Sequence, residues 1–168
     1  MSTLKSFLSS FGAAGKGIVC TIREERNFRF HLTAAFYVFC LRGFYGEYFS
    51  FSRAEDAVLF LTIGTVFAME LLNTAVENAV DLCSPQLHPL AGKAKDAAAA
   101  AVLVSAAAAV CVGVCLFWQP EALMLVAVDL LTHPFKLAAL FFTAILSVFF
   151  IFKAGRSEEH TSELQSPI

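Results

Sequence analysis

Apolar residues fill most of the chain, and the polar ones are gathered into short groups at regular places. Between residues 2 and 29, Phe7, Leu8, Phe11, Ala14, Ile18 and Ile22 recur at helical spacing with Lys and Arg between them, which predicts an amphipathic helix lying on a membrane surface. Gly12, Gly15 and Gly17 weaken that helix. From about 30 to 49 the chain is largely apolar, with His31 and Arg42 as interruptions and Tyr45, Tyr48 and Phe49 as an aromatic belt, so a first transmembrane helix is expected there. Ser52 and Glu55 form an S-x-x-E capping box, which starts a second helix over about 53 to 80.

Pro85, Pro89 and Gly92 then interrupt the pattern, and residues 82 to 96 read as an ordered loop with one helical turn at most. Asp96 stands where an N-cap would, directly before a charge-free run from 97 to 118 whose alanines allow close helix packing. Beyond Gln119-Pro120 come a short apolar piece, 122 to 131, and a longer one, 137 to 152. The resulting expectation is an all-α membrane protein. A surface helix and three core spans occupy residues 1–118, and 119–155 is an extra apolar segment with a fourth helix.

Composition supports the same solvent. Hydrophobic residues make up 58% and charged ones 15%, with a mean hydropathy of +0.69, whereas a soluble domain carries roughly 25% charge. The first thirty residues hold five basic positions and no signal-peptide pattern. The five cysteines lack any C-x-x-C spacing, and they read as reduced small hydrophobes. In a four-span arrangement nine Lys and Arg fall on the side of the amino terminus and three (Arg42, Arg53, Lys136) on the other, which places both termini and the 82 to 96 loop in the cytoplasm. Residues 156–168 change character abruptly. They read as a translated sequencing-adapter string and are expected to be non-native.

The candidate chemistry lies in Glu70 to Asp81, E-L-L-N-T-A-V-E-N-A-V-D. At about 100° per residue Glu70, Glu77 and Asp81 fall within roughly 20° of one line, and Asn73 lies about 60° to the side. The thirteen residues before Glu70 carry no charge. An ionisable group inside a span costs about 2.5–3.5 kcal/mol, so such a face reads as a working site. Interhelical pairing and a proton or cation path are the other readings of these four residues.

Two further clusters lie nearby in the predicted topology: Lys93, Lys95 and Asp96 at the mouth of the second and third spans, and Glu24 to Arg29 before the first. Singly, the lysines mark the cytoplasmic side and the charge run a solvated face. The G-A-A-G-K-G string at 12 to 17 lacks the G-x-x-x-x-G-K-[ST] pattern and a preceding strand, so it is no phosphate loop. His31, His88 and His133 have no metal-site spacing and read as core or interface residues. Together, carboxylates for a divalent metal, lysines for phosphate and a half-buried acid for a base are the parts phosphoryl transfer needs.

E-R-N-F-R-F-H (25 to 31), the E-x-x-N-x-x-x-E-x-x-x-D face (70 to 81) and H-P-L-A-G-K-A-K-D (88 to 96) resemble the small integral-membrane diacylglycerol kinase family, above all its undecaprenol kinase branch from Gram-positive bacteria. The resemblance covers about residues 10 to 118. It implies a homotrimer of three-span subunits whose active sites are shared between neighbours at the cytoplasmic interface. It further implies Glu70 as the general base toward the lipid hydroxyl, and Glu25 and Glu77 as ligands of the Mg2+ of Mg-ATP. Asn73 would position the reacting groups, Lys95 would contact nucleotide phosphates, and Asp81 and Asp96 would complete the ATP pocket. The lipid substrate would be undecaprenol, or alternatively diacylglycerol. Gly15 stands where the family often has tryptophan, Lys5 alone represents the early basic residues, and His31 replaces an acid of the Gram-negative members.

Overall fold

The computed structural model describes residues 2–84 and 88–153, with side chains from 7 to 152. These residues form six helices, α1 (Ser2–Glu24), α2 (Arg26–Tyr45), α3 (Arg53–Cys83), α4 (Pro89–Phe117), α5 (Pro120–Thr132) and α6 (Pro134–Lys153). Strands are absent among the described residues. Pro85 in the 82 to 96 segment, and the unusual tail from 156, lie outside the described residues.

Three helices, α3, α4 and α6, are long and apolar enough to cross a membrane. The fourth apolar segment is thus a helix of spanning length. The expected first span, α2, is not among the three; its twenty residues supply roughly 30 Å of helix and run alongside the middle of α3. Near its start His31 meets Glu70 of α3, and near its end Arg42 pairs with Asp56 of α3. Tyr37 meets Ser147 of α6, and Tyr45 reaches Asp129 of α5. The bundle therefore has two ends. One holds the α1–α2 junction, the α3–α4 connection and the end of α6; the other holds the α2–α3 turn and α5.

Local signals explain most boundaries. Ser52 accepts from Glu55 N–H while the Glu55 carboxylate accepts from Ser52 N–H, the reciprocal capping box, and α3 starts there. The helix starts at Pro89, Pro120 and Pro134 all place proline where its missing N–H costs nothing. This corrects the expected loop: α4 begins at Pro89, eight residues before 97, with His88 as its N-cap. Asp96 is an exposed residue within that helix, not a cap. Likewise the surface helix ends at Glu24 and not at 29, because Glu25 is extended and redirects the chain into α2. The glycines of α1 do not break it.

Packing follows membrane rules. The most extensive pairing is that of α3 with the alanine-rich α4. Hydroxyls of Thr62, Thr65, Thr74 and Ser147 donate to carbonyls four residues back, so they bring no unpaired donor into the apolar layer. Phe7, Leu8, Phe11 and Ile18 of α1 are exposed, as is every residue of that helix from 7 to 20. The buried residues of α3 are Leu59, Val66, Glu70 and Thr74, at steps of seven and four that define one stripe. Glu77 and Asp81 continue that stripe. At the far end Phe49, Ala122 and Val126 form a small core with Phe51 and Phe117.

Candidate functional site

The site is built where α1, α2 and α3 meet. Glu25 sits at the kink between α1 and α2, its N–H bonded to the Thr21 carbonyl at 2.8 Å. Phe28, almost fully buried, packs its ring on Phe67 with centroids 5.5 Å apart, and this fixes α2 against α3 one turn before Glu70. The Glu70 side chain is 2% exposed. Glu25 and Glu77 are the two acids that act electrostatically on it. The structure thus joins Glu25, from another helix junction, to two acids of the α3 stripe.

Within the stripe, Asn73 donates from Nδ2 to Glu77 Oε1 at 2.8 Å. Its own Oδ1 and the Glu70 Oε1 are buried without a hydrogen-bond partner. His31 brings Nε2 to 3.1 Å from Glu70 Oε1. That separation is short enough for a hydrogen bond, but the ring is not turned to make one. Unpaired acceptors in a buried place cost free energy that a bound group can recover.

The second level lies toward the end of α3. Lys95 of α4 donates to Asp81 Oδ1 at 2.5 Å, closing an ion pair between the two helices. Eleven residues separate Glu70 from Asp81, about 16 Å of helix. The expected nucleotide residues therefore stand apart from the expected base. Lys93 and Asp96 point outward and do not join the buried group.

No group of three His, Cys, Asp or Glu is arranged to hold a metal among the described residues. Magnesium keeps several waters and uses one or two carboxylates plus phosphate oxygens. Glu77, bonded to the Asn73 amide whose Oδ1 is unpaired, and Glu25, which acts on the same Glu70, offer the oxygen donors such an ion takes.

Two residues of the site had no separate signal in the sequence. His31 reads there as a core or interface histidine, and only the α2–α3 packing brings it close to Glu70. Arg29 reads as one charge of a solvated run, yet it is 2% exposed. It donates to the Ile22 and Arg23 carbonyls at the end of α1 and to Ile151 of α6. The extended Glu25, which ends one helix and leaves its last carbonyls to be satisfied, is visible only in the structure.

A buried carboxylate with an unpaired oxygen, near two further acids, thus lies toward one end of an apolar helix bundle, with the Lys95–Asp81 pair further along α3. Residues 12–117 match the prokaryotic diacylglycerol kinase family, and the chain belongs to that family; it is a lipid kinase. Over 114 residues it is 48% identical to the undecaprenol kinase of Bacillus subtilis, covering 68% of this chain and 89% of that one. It is also 41% identical over 116 residues to a diacylglycerol kinase of Synechocystis, covering 68% of this chain and 64% of that one. A shorter stretch of 62 residues is 38% identical to the diacylglycerol kinase of Escherichia coli K12, 37% of this chain and 51% of that one. The α5–α6 segment lies outside the family match.

Proposed function

We propose that the protein transfers the γ-phosphoryl group of ATP to the hydroxyl of undecaprenol at the cytoplasmic face of the bacterial cell membrane. The observation that carries this reading is Glu70, a fully buried carboxylate with an unpaired oxygen at the edge of the apolar layer. A lipid alcohol brings its hydroxyl to this level. The choice of undecaprenol over diacylglycerol is supported by the 48% identity to an undecaprenol kinase and the high share of that relative covered.

Glu70 accepts the hydroxyl proton as the lipid oxygen forms its bond to the γ-phosphorus. The bond from that phosphorus to the β,γ-bridging oxygen breaks, and ADP leaves. Glu25 and Glu77 would hold Mg2+, which when bound offsets phosphate charge. Asn73 holds Glu77 in place through its amide and directs its free oxygen into the site. Lys95, released from Asp81, supplies a point charge for nucleotide phosphate, with Asp81 and Asp96 lining the ATP pocket. The exposure of Asp81 and Asp96 in the single chain supports a homotrimer, in which a neighbouring subunit completes the pocket. Nine of the twelve basic residues flank the same end of the bundle under the four-span count, which supports a cytoplasmic site.

The test uses membranes containing the protein, γ-labelled ATP and magnesium, with undecaprenol or diacylglycerol added separately. Faster labelling of undecaprenol, abolished by chelation of the metal, is expected. Label on diacylglycerol alone would reassign the substrate, and label on neither would remove the reading.

A further inference from the structure

We infer that His31 is a positioning residue for Glu70, donating from Nε2 to Oε1 in the substrate complex so that the other oxygen is left to receive the lipid proton. This rests on Glu70 being the base. The imidazole nitrogen stands 3.1 Å from Oε1, with the His31 side chain 18% exposed and Glu70 2%. The distance is within hydrogen-bond range, yet Oε1 has no hydrogen bond because the ring plane is turned away from the required direction. The ring has to reorient for the bond to form, and for histidine the Cβ–Cγ torsion is soft. Hydrogen bonds of catalytic groups are often misaligned before substrate binds and tighten in its presence.

A glutamate needs such an anchor. Its terminal torsion is broad and two-fold, so an unanchored carboxylate presents either oxygen at a range of angles. The neighbouring charged groups are Glu25, from the α1–α2 junction, and Glu77, from α3, and both repel a carboxylate instead of holding it. His31 is the donor that α2 brings to Oε1. By donating to Oε1 it fixes the orientation of the base.

The test is the kinetics of His31→Ala, His31→Gln and His31→Asn in membranes, read with Glu70→Gln. A glutamine amide nitrogen can occupy the place of Nε2, whereas that of asparagine is too short. Loss of orientation by about an ångström costs on the order of 100-fold. His31→Ala and His31→Asn are expected to lower kcat by about that factor with KM for ATP and lipid within about twofold. His31→Gln should recover most of the rate, to within about fivefold. Adding His31→Ala to Glu70→Gln should cost nothing further, since the two act as one unit. The proposal is overturned if His31→Ala keeps kcat within about threefold, if His31→Gln is as poor as His31→Ala, or if the losses add in the double variant. Retention of full kcat by Glu70→Gln would instead overturn the assignment of the base.

Discussion

Arg29 donates from Nε to the carbonyl oxygen of Ile151 at 3.1 Å, so a fully buried guanidinium on α2 fastens the end of α6 to the bundle. Its Nη1 also serves the Ile22 and Arg23 carbonyls at 3.0 and 2.8 Å, the last turn of α1. The last turn of α1, with carbonyls left over and a negative dipole end, and the Ile151 carbonyl of α6 converge on one cation. The same residue thus sets the kink at Glu25 and holds the segment outside the family match.

Arg29→Met removes all three bonds while keeping much of the side-chain volume. Hydrogen bonds to charged groups are worth about 1.5–3 kcal/mol, and a destabilisation of that size is expected as a lower melting temperature in lipid or detergent. Arg29→Lys should restore only part of it, because an ammonium cannot reproduce the planar fork. An unchanged melting temperature for Arg29→Met would contradict the junction.

Glu70→Gln preserves shape and removes the proton acceptor. A kcat loss of about 10²- to 10⁴-fold is expected, with ATP binding retained, as measured by label transfer and nucleotide titration.

Lys95 separates stability from function. Its pair with Asp81 is largely open, with side chains 35% and 66% exposed, so Lys95→Ala should change stability by no more than about 1 kcal/mol. If the lysine binds phosphate, KM for ATP should nevertheless rise at least about tenfold while KM for lipid stays put. An ion path through Glu70 and Glu77 predicts no effect of this substitution, so the measurement also decides between the two readings.

Asp129 makes the far end sensitive to acid. Hydrogen bonds from Lys136 and then Tyr45 hold its carboxyl below the usual carboxylate range. A depressed folded value stabilises the fold at pH above the unfolded value of about 3.9, and this contribution is lost as pH falls through the folded value. The sole tryptophan, Trp118, stands between α4 and α5 and reports on this end. Its fluorescence should be steady from neutral pH to about 5 and change below about 4. Asp129→Asn should flatten that change.

How much was legible beforehand depended on whether a signal lay within one helix. The capping box at Ser52 and Glu55, the apolar runs of α3, α4 and α6, and the single stripe of Glu70, Glu77 and Asp81 are all local patterns, and the structure contains each of them. Boundaries were less legible where two local signals competed. Asp96 before a charge-free run resembles a cap, but His88-Pro89 supplies both a side-chain acceptor and the N1 proline, so the helix starts there.

By itself, then, the sequence determined an all-helical membrane bundle and the acidic stripe, because helical period and hydropathy are carried by consecutive residues. Tertiary structure alone decided that Glu25 joins Glu70, that Lys95 meets Asp81, that His31 faces the buried carboxylate, and that Arg29 is buried against three carbonyls. Those relationships depend on how each helix is rotated and kinked against its neighbours. The backbone break at Glu25 and the close pairing of α3 with α4 set that rotation, and no spacing within a single helix encodes it.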